Sequence, residues 1–63
     1  MELERMALIQ WSDFIKISKF AKKIGVSPQA VSAWLKYGQP TLTYEKKKLL
    51  YESVLEYMRN NFA

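Results

Sequence analysis

Phe20-Ala21-Lys22-Lys23-Ile24-Gly25-Val26-Ser27-Pro28-Gln29-Ala30-Val31-Ser32-Ala33-Trp34-Leu35 reads as two short helices joined by a tight turn, and this stretch decides the fold. Gly25 ends the first helix, because the residue just past a helix often takes a positive φ, which glycine adopts without steric cost. Ser27 caps the next helix with its side-chain oxygen. Pro28 then sits in the first turn, where a missing N–H costs nothing and a fixed φ is already helical. Helices joined by three or four residues cross steeply and closely, so the crossing needs a small side chain, and Ala21 supplies it. Phe20, Ile24, Val26, Val31 and Trp34 form the wedge of core that fixes the angle.

Working outward, the helix that opens at Pro28 runs through Ala30, Val31, Trp34 and Leu35 to about Lys36, and stops near Tyr37-Gly38, with Pro40 marking the exit. Before the stretch, Ser18 is the expected N-cap of the short helix that holds Phe20, Ala21 and Ile24. Earlier still, Leu3, Met6, Ala7, Trp11 and Phe14 recur at helical steps and predict one apolar stripe on a helix over residues 2–14. Leu8, Ile9 and Ile15 fall off that stripe, a surplus that a second subunit would cover. After Thr41–Thr43, Thr43 caps a last helix to about Asn60, traced by Leu49, Leu50, Val54, Leu55, Tyr57, Met58 and Phe62. The expected fold is all-α, a compact bundle of four or five short helices in one domain, residues 1–63. No repeat or linker divides it.

Composition narrows the function. Sixty-three residues make a domain that buries only about 60% of the surface its unfolded chain exposes, so a partner copy would add useful burial. The chain has no cysteine and no histidine, which removes disulfides, thiolate sites, thiol nucleophiles and the usual neutral-pH base. Glu2, Glu4, Asp13, Glu45, Glu52 and Glu56 are scattered, with no Asp-rich loop to hold a hard cation. Neither an enzyme nor a cofactor or metal is expected. The longest apolar run, Met6-Ala7-Leu8-Ile9, falls far short of the roughly 20 residues of a spanning helix. Glu2 and Glu4 precede any apolar stretch, unlike a signal peptide, so a cytoplasmic location is expected.

The net charge of +4 hides a segregation. Residues 1–13 set Arg5 against Glu2, Glu4 and Asp13, net −2. Residues 14–48 set eight lysines against Glu45, net +7, and residues 49–63 set Arg59 against Glu52 and Glu56, net −1. A basic centre between near-neutral flanks suits a polyanion-binding surface. A solvated lysine-rich face is the plainer alternative.

The same stretch resembles the helix-turn-helix of the lambda-repressor and Cro-like family of phage and bacterial regulators, in which alanine precedes the turn glycine by four positions, as Ala21 precedes Gly25. Ile24 and Val26 match the family's apolar residues beside the glycine, and Val31 and Trp34 match those six and nine positions beyond it. About 20 residues resemble the family closely. The flanking helices agree only in number and position. The resemblance implies a lambda-repressor-like fold and a double-stranded DNA partner, bound by a homodimer on an inverted repeat with one helix of each subunit in the major groove.

Removing the residues expected to be buried leaves Ser27, Pro28, Gln29, Ser32, Ala33 and Lys36 on the outside of that helix. In the family these positions face the groove, so the resemblance makes Gln29, Ser32, Ala33 and Lys36 the base readers. Gln29 matches adenine N6 and N7, and Ala33 a thymine methyl. Lys16, Lys19, Lys22 and Lys36 suit phosphate, with Ser18 and Ser27 at the helix starts. The sequence departs from the family at two positions. Pro28 stands where several members read a base with glutamine, and Ile17 where they often contact phosphate. DNA shape then carries more of the specificity.

Lys46-Lys47-Lys48 lies against the macrodipole of the last helix, which suggests a role beyond helix formation: DNA backbone or solubility. Trp34 is read as core. Trp11, Tyr44, Tyr51, Tyr57 and Phe62 are read as core or dimer contacts, with Leu55, Met58 and Phe62 the foremost interface candidates. The competing reading is a protein-interaction module with an acidic partner, such as an antirepressor.

Overall fold

The turn at Gly25 has the form its residues require. The computed structural model describes residues 2–62: α1 Glu2–Trp11, α2 Ala21–Ile24, α3 Pro28–Tyr37 and α4 Tyr44–Phe62, with a 3-10 turn Ile17–Phe20 running straight into α2. Among the described residues there is no strand, and no helix is long and apolar enough to cross a membrane.

Gly25 takes φ +79°. Its N–H donates to the Lys22 carbonyl at 3.2 Å, and the Val26 N–H donates to the Ala21 carbonyl at 3.0 Å, the bond pair that closes a helix on a left-handed residue. The Ser27 side chain then accepts from the Ala30 N–H at 3.1 Å, and Pro28 occupies the first turn of α3. α3 closes on a second left-handed glycine, Gly38 at φ +69°. The Thr43 hydroxyl accepts from the Lys46 N–H at 3.2 Å and so opens α4.

The core joins every element. Ala21 is wholly buried, as a close crossing demands, and around it lie Ile24 from α2, Val31, Trp34 and Leu35 from α3, and Leu50 and Val54 from α4. Phe20 and Val26 pack on its edge. Leu42, read from sequence only as connection, is also buried. The loop that carries it is pinned where the Thr41 hydroxyl donates to the Ala30 carbonyl at 2.6 Å.

Three expectations need correction. The first concerns α1, which ends at Trp11 rather than at residue 14. Ser12 donates its hydroxyl to the Ile9 carbonyl, the local bonding by which serine competes with helix continuation. Its phase also differs, because Leu8 is 0% exposed while Leu3 is 80% exposed. Phe14 is exposed and Ile15 buried. Apolar residues occupy most of the circumference of α1, so periodicity alone does not select a face. Second, Ser18 is no N-cap, since the 3-10 turn begins at Ile17 after Lys16 and has no side-chain cap. Third, α4 buries Leu50 and Val54 but leaves Leu49 and Tyr57 exposed, because one face of a straight helix reaches the core.

The orientation of α1 is testable by urea denaturation. Leu8→Ala should cost about 2–5 kcal/mol, a large-to-small core change, and abolish or sharply lower the transition. Leu3→Ala should stay within about 0.5 kcal/mol of the parent. The reverse ranking would restore the stripe read from sequence.

Candidate functional site

α3 divides cleanly into two faces. Val31, Trp34 and Leu35 are buried and Ala30 is half-buried. On the outside, Pro28, Gln29, Ser32, Ala33, Lys36 and Tyr37 line one continuous shallow surface. The structure therefore brings Gln29, Ser32, Ala33 and Lys36 together, with Gln29 and Lys36 exposed and Ser32 and Ala33 half-buried. Ser27 borders this surface as the cap of α3.

Tyr37 is the residue that sequence reasoning missed. It is 73% exposed, one helical turn beyond Ala33, and adds an aromatic ring and a phenol hydroxyl to an otherwise small and polar face. Its spacing from Ala33 was the available signal, but the residue read only as the place where the helix stops.

A second groove runs beside the first. Lys16, Ser18, Ser32 and Lys36 line it, between the 3-10 turn and α3. Two expected phosphate ligands thus lie next to two expected base readers. Ile17 also borders this groove but is buried, so this position contributes packing and no polar contact. Lys19 rims a different groove, together with Lys16 and Lys23, over Phe14, Ile15, Phe20 and Tyr57. Lys22 is exposed but belongs to none of these surfaces.

The lysine run of α4 separates into different roles. Lys46 donates its ammonium to the Ile24 carbonyl at 2.8 Å in a partly buried bond. That carbonyl lies at the negative end of α2, where a cation is favourable. Lys47 places its ammonium 5.8 Å from the centre of the Trp34 ring, within cation–π range. Of the three, only Lys48 is exposed. The cost of lysine at the start of α4 is thus offset by tertiary contacts that sequence does not display.

Arg5 does for α3 what Lys46 does for α2. Its Nε donates to the Trp34 carbonyl at 2.9 Å, which also accepts the Gly38 N–H at 2.9 Å. Glu2 holds the other side of the guanidinium at 2.7 Å. Both helices beside the turn therefore end on a cation from a flanking helix.

The half-buried aromatics Trp11, Phe20 and Tyr51 each meet a second ring. Trp11 stacks on Tyr51 with centroids 5.8 Å apart, and Phe20 meets Tyr57 edge-on at 5.7 Å. Among the described residues no three of His, Cys, Asp and Glu are grouped to hold a metal. Comparison with protein-family models, with curated proteins and with solved structures finds no match to this chain.

The division of the lysine run predicts unequal stabilities for variants of equal charge. Lys46→Met should lose about 1–3 kcal/mol by leaving a carbonyl without its charged donor, and Lys48→Met should stay within about 0.5 kcal/mol. Urea titrations at two salt concentrations check this. Equal losses would mean that net charge alone matters.

Proposed function

We propose that the chain is a sequence-specific, double-stranded DNA-binding regulator, and that α2, the Gly25 turn and α3 form a helix-turn-helix of the lambda-repressor and Cro-like kind. The observation that carries this reading is the grouping of Gln29, Ser32, Ala33 and Lys36 on one outward surface of α3. Small and polar side chains there suit a groove of base edges, whereas a protein-binding face would more often present apolar ones.

In this reading α3 enters the major groove. Gln29 in its first turn pairs with adenine, Ala33 packs against a thymine methyl, Ser32 bonds to several base edges and Lys36 reaches guanine or phosphate. Lys16, Lys19 and Lys22 hold the backbone, with Ser18 and Ser27 beside them. The Ser27 oxygen is already a cap acceptor, so it would serve DNA as a hydroxyl donor. With Ile17 in the core and Pro28 in the first turn, few side chains read bases directly, and the deformability of the site supplies the remaining discrimination. Tyr37 extends the contact toward the next phosphate or base.

Two copies on an inverted repeat, with reading helices about 34 Å apart, would double the readout. Of the interface residues expected from sequence, Met58 packs on the core and Leu55 is half-buried. The side chain of Phe62 lies outside the described residues. Leu49 on α4 and Met6 on α1 are exposed apolar alternatives for a second subunit to cover. In this reading the chain is a repressor of phage or mobile-element origin that acts in the cytoplasm.

Selection of bound duplexes from a random pool tests the proposal directly, and an inverted-repeat consensus is expected. On the selected duplex, Gln29→Ala should cost about 1–3 kcal/mol and relax one base position, while Lys22→Ala should weaken all sequences alike. Four lysines on phosphate predict a slope of log affinity against log salt of about −3.6 per subunit. No consensus together with a flat salt dependence would overturn the proposal in favour of an interaction module.

A further inference from the structure

The lysine-rimmed groove beside the candidate interface has a feature that phosphate contact does not use. Besides lysines it is lined by Phe14, Ile15, Phe20 and Tyr57, and its volume is about 360 Å³. That is the lower range of ligand-sized pockets, roughly 300–1,000 Å³. Lys16, Lys19 and Lys23 form the rim, and among the described residues no acidic side chain lines it. The three ammonium groups make no hydrogen bond or ion pair among the described residues. Phe14 is 59% exposed.

An apolar notch inside a ring of cations is complementary to a large apolar side chain flanked by carboxylates. The ring geometry favours a protein segment over single-stranded nucleic acid. Phe20 and Tyr57 meet edge to face at 78°, so they do not offer the parallel faces on which successive bases stack.

We propose that this groove docks an acidic segment of a partner protein, anchored by an aromatic or branched apolar side chain, and that docking competes with DNA. Lys16 is the shared element, since it lines both this groove and the groove it forms with Ser32 and Lys36. Carboxylates seated on the rim neutralise Lys16 and Lys19 and withdraw them from phosphate. The docking stands independently of the DNA reading, and the competition rests on it.

The probe is a short fluorescent peptide of Asp and Glu around a central Phe-Leu pair, with the same peptide carrying Ala-Ala as its control, followed by anisotropy on the intact chain without DNA. The Phe-Leu peptide should bind about tenfold or more tightly than the control, as burial of one large apolar side chain implies. Tyr57→Ala and Lys23→Glu should each weaken it several-fold while the circular dichroism of the helices stays unchanged. Lys36→Glu should leave it unaffected. Equal binding of both peptides, or no effect of Tyr57→Ala and Lys23→Glu, would overturn the groove. So would an oligothymidylate that binds more tightly and depends on the same residues.

The competition is read separately, by adding the selected duplex to the peptide complex. Displacement of the peptide by duplex, but not when the protein carries Lys36→Glu, is expected. Simultaneous binding of both ligands would refute the competition. Peptide binding by a chain that binds no duplex would uphold the docking and remove the DNA reading with it.

Discussion

The fold depends on closing the end of a helix one turn long. α2 has four residues, far below the length at which a helix persists in water by itself, and its last carbonyls have no partners further along its own axis. Three devices meet this need. The 3-10 turn extends α2 backward, the left-handed conformation of Gly25 folds two N–H groups back onto the helix, and the ammonium of Lys46 covers the Ile24 carbonyl. Any larger residue at Gly25 would have to hold φ +79°, which side chains with a Cβ adopt at a cost. With the end of α2 fixed, Ala21 lies at the crossing and the direction of α3 follows.

The flanking helices are clamps as much as covers. α1 delivers Arg5 to the closing carbonyl of α3, and α4 delivers Lys46 to that of α2. Each cation meets the negative end of a helix dipole, with its charge away from the bulk of the solvent. This accounts for the rotation of α1. With Arg5 directed at Trp34, Leu8 one turn later faces the core, and Leu3 and Met6 turn to solvent. Lys47 over the Trp34 ring then joins α4 to the same residue that α1 holds by its carbonyl, so the inner side of α3 is gripped from both flanks.

What was legible in the sequence was local. Gly25, Gly38, Ser27, Pro28 and Thr43 act through bonds to neighbours a few residues away, so their roles could be read without knowing the fold. The outer face of α3 was found by subtraction, because Val31, Trp34 and Leu35 form an unambiguous stripe. Where the deciding contact is distant, reading failed. The phase of α1 depends on a carbonyl 29 positions from Arg5, and the position of Lys46 on one 22 positions away. Leu42 looked like loop because its burial comes from the way the chain turns after Gly38, and Ser18 looked like a cap because the 3-10 start one residue earlier has no side-chain signature. The groove lined by Phe20 and Tyr57 joins residues on different elements and has no linear motif.

The two faces of α3 also differ in what they permit over evolutionary time. Gln29, Lys36 and Tyr37 take no part in the core or the caps, so these positions can be exchanged with little change in the stability of the bundle. Trp34 has no such freedom, held as it is by packing, by a cation over its ring and by two donors on its carbonyl. A lineage built on this scaffold is able to diversify its outward surface while the frame beneath stays constant, and drift in what the surface meets needs no compensating repair inside.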